Sequence, residues 1–421
     1  MEMPLTPRSS ARMRRSRPPR PVAAALLGFE GALALSSGYL LALLVAARDS
    51  TRNAAAVTAV ADGPPLRLAV LVPAYNEEGG IGVTLESLAA CEYPADRRRI
   101  VVIADNCTDG TAARSSRAEV EVWERTDTSQ RGKGFAMIWA LRRLFEEDDS
   151  VDAIVMVDAD CTVSPNMLRA IDRRLRSGAS AVQVDYVAAN PQDSHVSALR
   201  FGAFALADTV RFLGKQRLGL SCGLVGTGMG FRRELLERTP WTATGLVEDG
   251  EYHLHLVLAG ERAEFVAEAS VSQAVPTSMR ASSEQQARWE RGRLQLIRRW
   301  SPKLLGAGLA QRDVVRLHAG LECLLPPQSL IAAGNLGSLF AGLLLGYRRL
   351  LALSAFSLTA QVTFILAGLR LVRAPAQVYR ALLLAPALIV SKLGLYARFA
   401  LGRGPTSWTR TEREPVPEPR P

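Results

Sequence analysis

Apolar residues follow three successive patterns along this chain, and the changes between them divide it. Residues 22–47 form one run of 26 residues broken by a single charge, Glu30. A helix of that length spans a bilayer. A basic segment precedes the run, which also fits a signal peptide, but the apolar core is longer than a cleavable one, so an uncleaved anchor is expected. Residues 48–66 read as a polar, Ala/Pro/Gly linker. From 67 to 300 short β-rich runs alternate with helical ones. Residues 68–72, 100–103, 120–123, 153–157 and 181–186 are expected strands. Residues 78–91, with Ile81, Leu85 and Leu88 on one face, 134–145 and 165–176 are expected helices. The alternation predicts an α/β fold, a mostly parallel sheet with helices on both faces. Ligands in such sheets bind beyond the carboxyl ends of the strands.

After residue 300 the chain turns apolar again. Residues 304–325 mix apolar positions with Arg312, Arg316, His318 and Glu322, the pattern of an amphipathic helix lying on a membrane. Residues 328–346 and 350–369 approach spanning length, separated by Arg348 and Arg349. Residues 376–401 are apolar but carry Arg380, Pro386, Lys392 and Arg398, so spanning, re-entrant and interfacial readings all stay open. The expected organisation is a basic tail (1–21), a transmembrane helix (22–47), a catalytic domain (67–300), an interface helix (301–325), a C-terminal membrane region of two to three segments (326–401) and a disordered tail (402–421).

Charge sharpens this division. The chain has 421 residues and a net charge of +10, and all but four of its 51 basic residues are arginine. Residues 1–20 hold six arginines against Glu2, and residues 370–421 hold nine basic residues against three glutamates. The excess thus sits at the two ends beside apolar runs, as expected near lipid, and the middle is close to neutral. A nucleic-acid binder would place its excess on a folded face, so nucleic acid is not an expected partner. Five scattered cysteines without a C-x-x-C argue against a disulfide framework and against zinc.

The candidate chemistry gathers at strand ends. The first strand runs into Pro73-Ala74-Tyr75-Asn76-Glu77, the second into Asp105-Asn106-Cys107-Thr108-Asp109-Gly110, the fourth into Asp158-Ala159-Asp160. Each alone reads as a turn or helix cap. Three together bring carboxylates to one sheet edge. Asp158 and Asp160 straddle one residue and can face one small volume, where hard oxygens suit Mg²⁺ or Mn²⁺. Such an ion would neutralise charge building on a diphosphate leaving group. Lys133, in Arg131-Gly132-Lys133-Gly134, is placed to assist a phosphate or to be a solvated loop residue. Glu248-Asp249 opens a helical run, as a helix cap or as a general base for an acceptor hydroxyl. Gln285-Gln286-Ala287-Arg288-Trp289 lies in the helical run 284–300, where Arg288 and Trp289 would hold diphosphate and stack on a sugar, or would belong to a basic amphipathic helix. His253 and His255, two apart on a helix, face different ways and are not read as metal ligands.

The ordered set Asp105, Asp158-Ala159-Asp160, Glu248-Asp249, Gln285-Gln286-x-Arg288-Trp289 resembles the membrane-bound family 2 glycosyltransferases, the group of the cellulose, hyaluronan and chitin synthases and the ceramide glucosyltransferases. The resemblance covers about residues 68–300. It implies a GT-A type sheet domain and a UDP-sugar donor. Pro73, Tyr75 and Glu77 would line the nucleotide pocket and Asp105 would contact uracil. Asp160, with Asp158, would hold the metal. Asp249, beside Glu248, would be the catalytic base, inverting an α-linked donor to a β-linked product. Gln285, Gln286, Arg288 and Trp289 would bind diphosphate and acceptor. Gly226–Arg233 would border the acceptor cleft, and Trp408-Thr409-Arg410-Thr411 resembles a tail signature of some members. Ala104 and Val247 depart from the common motif, where aspartate and threonine are usual. The three or four candidate spans are fewer than a self-sufficient polysaccharide channel uses.

The expected function is therefore an inverting, metal-dependent transfer of sugar to a membrane-associated lipid or glycan. A processive polysaccharide synthase and a non-catalytic sugar-nucleotide-binding or translocation subunit are the alternatives. Expected partners are the UDP-sugar, the acceptor, membrane lipids and a homo-oligomeric or export partner. The six N-terminal arginines favour a cytoplasmic N-terminus, which after one span would export the catalytic domain. Cytosolic UDP-sugars favour the opposite, a domain on the cytoplasmic face of a bacterial-type inner membrane, and that placement is the expected one.

Overall fold

The structure is a computed structural model that describes residues 19–53 and 63–401. The first 18 residues with most of the N-terminal arginines, part of the expected linker, and the tail from 402 with its Trp408-Thr409-Arg410-Thr411 motif lie outside the described residues. The described chain falls into two compact units, residues 19–41 with Pro326–Thr363, and residues 42–325 with 364–401.

The larger unit contains one eight-stranded sheet. Its strands are β1 (Leu68–Ala74), β2 (Arg98–Asp105), β3 (Val120–Arg125), β4 (Ala153–Met156), β5 (Cys161–Val163), β6 (Ala181–Ala188), β7 (Met229–Arg232) and β8 (Ala263–Gln273), in the order β3-β2-β1-β4-β7-β6-β8-β5. The half from β3 to β4 is parallel, as the alternation of strands and helices predicts. Beyond β4 the sheet is mixed, because β7 runs antiparallel to both β4 and β6, and β5 antiparallel to β8. β1, β2 and β4 are apolar and buried on both faces, which is why they read as continuous hydrophobic runs. One face packs against the Ile81–Ala89 and Met167–Arg176 helices, the other against the Lys133–Glu147 helix. This is the α/β, GT-A type arrangement that the motif order implies.

One expectation needs correction. The amphipathic helix over 301–325 is not continuous. The helix carrying Gln285 runs Met279–Gln311, ends at Arg312 in the left-handed region (φ 53°), and a second helix spans Val314–Leu324. Asp313 caps that second helix by accepting from the Val315 and Arg316 amides. The two pack on one another, with the Ser301 hydroxyl donating to Gly320 O at 2.8 Å. Within Gly226–Arg233, Met229–Arg232 is a central strand, and Gly226 in the turn before it reaches Lys133.

Among the described residues, four helices are long and apolar enough to cross a membrane: Arg20–Arg48, Gln328–Leu345, Arg348–Leu371 and Ala376–Phe399. The first continues helically to Asn53, past the expected boundary at 47. The fourth is interrupted by a 3₁₀ turn at Leu382–Leu384. Within the smaller unit several polar side chains point inward. Glu30, Ser37, Asn335, Ser338, Ser354 and Ser357 are buried, and the Ser37 and Ser357 hydroxyls meet at 2.9 Å. Leu35, Leu336, Phe340, Leu343, Leu344 and Phe356 are exposed. A polar interior beneath an apolar surface is the arrangement of helices packed in lipid.

Candidate active site

The site forms where β1, β2 and β4 end. β1 leads into Asn76 (φ 53°) and β2 into Asn106 (φ 54°), both left-handed, a conformation asparagine tolerates better than most residues. The two turns are sewn together. Asn76 Nδ2 donates to Thr108 Oγ1, the Thr108 amide donates to Asn76 Oδ1, and the Glu77 amide donates to Thr111 Oγ1. Pro73 lies on β1, opposite Ile103, and Tyr75 and Glu77 follow it at half-buried positions. Asp105, the last residue of β2, is 5% exposed and accepts from Arg125 Nη1 at 2.6 Å and from Asn106 Nδ2 at 3.0 Å. Burial pushes its carboxyl up, against the pull of Arg125. Arg125, at the end of β3, was invisible to motif reasoning because only the parallel register of β2 and β3 brings it to Asp105.

The second group surrounds Lys133, at the start of its helix. Its ammonium donates to Asp158 Oδ1 at 2.5 Å and to Gly226 O at 2.5 Å. Gly226 has φ +89°, and a Cβ there would lie 3.2 Å from Asp249 Oδ2 and 3.4 Å from Lys133 Nζ. The glycine thus supplies a carbonyl and leaves room for both side chains. Burial alone would lower the Lys133 ammonium, but the charges of Asp158, Glu248 and Asp249 outweigh it and hold it well above its ordinary value. Burial pushes Glu248 up to about 7, and its neighbour Asp249 adds to the rise. Asp249 is raised in the same way, by burial first, against the Gly250 amide that donates to it at 2.7 Å and the charge of Lys133. Lys133 is therefore the hub of three carboxylates and not a solvated loop residue.

Asp160 has a different kind of partner. Its Oδ1 accepts from Gln273 Nε2 at 2.5 Å. One oxygen each from Asp158 and Asp160 and the Cys161 sulfur lie within 4.8 Å of one another. Asp158 and Asp160 offer a pair of hard carboxylates beside that sulfur. That donor set fits Mg²⁺ or Mn²⁺ completed by phosphate oxygens.

The Met279–Gln311 helix closes the other side. Gly292 lets it come close to the residue before Glu248: a Cβ at 292 would lie 2.7 Å from Val247 Cγ2. Gly292→Ala is expected to cost about 1–3 kcal/mol by overpacking, read as a lower thermal midpoint of the purified protein. Burial pulls the Arg288 guanidinium below its ordinary value, and the charge of Glu248 opposes that pull. Gln285 and Trp289 point instead to Arg200, a residue outside every motif. Arg200 Nη2 donates to Gln285 Oε1 at 2.8 Å, and its guanidinium lies 4.9 Å from the Trp289 ring centre and 4.7 Å from that of Phe204. Gln286 donates to Ser282 Oγ at 3.3 Å within its own helix. A cavity of about 400 Å³ opens beside this helix, lined by Val247, Glu251, Leu296, Arg298 and Arg299 among others. None of Asp158, Asp160 and Asp249 lines it, so the chemistry is located by the carboxylates. His253 is buried, bonded to Ser221 at 2.9 Å and pushed down to about 3 by burial, so it is a neutral core histidine.

Residues 64–292, more than half of the chain, match the family described as glycosyltransferase like family 2. An N-acetylglucosaminyltransferase of Sinorhizobium fredii is 28% identical over 291 residues, covering 63% of this chain and 68% of its own. One from Rhizobium leguminosarum is 26% identical over 268 residues, covering 61% of this chain and 62% of its own, so the match leaves more than a third of that relative unaligned. Among solved structures, a mannosyltransferase of Pyrobaculum calidifontis in complex with GDP-Man and Mn²⁺ superposes with a TM-score of 0.44 at 21% identity, over 80% of this chain and 98% of its own. With the family match spanning the sheet and the first half of the Arg288 helix, the chain belongs to the glycosyltransferase like family 2.

Proposed function

We propose that the protein is an inverting, metal-dependent glycosyltransferase that moves a sugar from a UDP-sugar to a lipid or glycan acceptor at the cytoplasmic face of a membrane. The observation that carries this reading is the convergence of Asp158, Asp249 and Lys133 on Gly226. It sets a candidate base and phosphate-binding groups around one small volume. Asp249 takes the proton of the acceptor hydroxyl as that oxygen forms its bond to the anomeric carbon and the bond from that carbon to the β-phosphate oxygen breaks. Attack from the face opposite the leaving group inverts the carbon. Arg288 and Lys133 meet the charge that develops on the departing diphosphate. Mg²⁺ or Mn²⁺ held by Asp160, with Asp158, would add Lewis-acid neutralisation of that charge. Pro73, Tyr75, Glu77 and the Asp105–Arg125 pair form the nucleoside end, and Gln285, Gln286 and Trp289 the acceptor end.

N-acetylglucosamine is the sugar to test first, because the aligned relatives carry that activity in their names. The polar interior and apolar surface of the smaller unit support a membrane setting. The test is a panel of UDP-sugars with Mn²⁺ or Mg²⁺ and membrane lipid, given to detergent-purified protein, with UDP release as readout. One donor is expected to release UDP only in the presence of metal and acceptor. Product extracted into organic solvent identifies a lipid acceptor, and a long polymer identifies processive synthesis. No UDP release from any donor would overturn the enzyme reading.

A further inference from the structure

Gln273 ends β8, the strand between β6 and the short edge strand β5. Its register pairs it with Cys161 on one side and with Ala188 on the other. That places its side chain next to Asp160, which is 113 positions away in the chain. Gln273 Nε2 donates to Asp160 Oδ1 at 2.5 Å, and the Tyr186 hydroxyl, from β6, donates to Gln273 Oε1 at 2.6 Å. The order of this relay is determined by its ends. A carboxylate can only accept, so the amide must turn its NH₂ to Asp160, and its oxygen then needs the tyrosine as donor. Burial keeps the Tyr186 hydroxyl protonated, and its ring packs edge-on against Phe204 with centres 5.1 Å apart.

The two carboxylates of the D-x-D are therefore held differently. Asp158 is bound by an ammonium, which competes with any cation for the same charge. Asp160 accepts from a neutral amide, which restricts its rotamer. Groups that orient a metal ligand in this way commonly control affinity as strongly as the ligand's own chemistry. We infer that Gln273, itself oriented by Tyr186, is a positioning residue that holds Asp160 for the divalent cation. The inference rests on the reading of Asp160 as a metal ligand.

The experiment uses the full chain in detergent and Mn²⁺ alone as probe, with free Mn²⁺ followed by electron paramagnetic resonance. Gln273→Met keeps the side-chain length and is expected to weaken Mn²⁺ binding about tenfold or more. Tyr186→Phe keeps the ring and is expected to weaken it by a smaller factor. In steady-state assays the KM for Mn²⁺ should rise in Gln273→Met while kcat at saturating Mn²⁺ stays near wild type, a split that general loss of structure would not produce. Asp160→Ala separates the two levels. If it leaves Mn²⁺ binding intact, the metal-ligand reading fails and the inference with it. If it abolishes binding while Gln273→Met binds as wild type does, the inference alone is overturned. Wild-type affinity in Tyr186→Phe overturns the tyrosine's share. Where Gln273→Met does not fold, the Tyr186→Phe affinity decides the relay.

Discussion

Asp249→Asn is expected to lower kcat by about a thousandfold, within the range that loss of a positioned general base produces. Asparagine has nearly the same shape, so the Gly250 amide can still donate to the oxygen it now reaches at 2.7 Å, and the Val247 contact with Gly292 is untouched. The variant loses only the ability to take a proton. UDP binding and thermal stability should therefore stay near wild type, which separates this outcome from unfolding. Glu248 gives a second signature. Part of its raised value comes from the charge of Asp249, so removing that charge lowers it, and the acid limb of any residual activity moves to lower pH. Full turnover in the variant would sink the assignment of Asp249 as base and leave Glu248 as the carboxylate to test.

How much of this could be read in advance depended on whether a residue's partner was near it in the chain. β1, β2 and β4 were legible because strands buried on both faces are continuous apolar runs. β8 was not, because Glu264 and Glu268 interrupt it and its register against β6 shifts between Val184 and Asp185. β7 was hidden in a glycine-rich stretch taken for a cleft border, and β5 is only three residues long. The break at Arg312 lacks the glycine that usually marks one, although Asp313 was an available N-cap signal. The same rule holds in the site. Asp158, Asp160, Glu248, Asp249 and Arg288 announced themselves by motif. Arg200, which lies 85 positions from Gln285, did not. Arg200 also changes how the Gln285 and Trp289 pair is understood. It holds both, so these motif residues are tied to the His195–Phe204 helix.

Lys133→Met should produce the other large loss, about a hundredfold in kcat/KM for the donor, comparable to deleting one preorganised donor to a developing anion. Its pH dependence distinguishes a catalytic lysine from a merely structural one. Lys133 draws down Glu248, which burial and Asp249 nevertheless hold at about 7, and it draws down Asp249 as well. Without the ammonium both carboxyls rise further. A base works only when unprotonated, so the acid limb of the rate profile must move to higher pH, and part of the loss should be regained in alkaline buffer. Stability follows the same sign. A carboxyl whose folded value lies above its unfolded one favours the fold while protonated, and that contribution is lost as pH rises through the folded value. The variant should therefore lose thermal stability with rising pH more steeply than the wild type does. Rate profiles and melting curves across neutral pH on the same preparation test both. An acid limb that stays in place would show that Lys133 does not share a field with Asp249, and would remove it from the proposed mechanism.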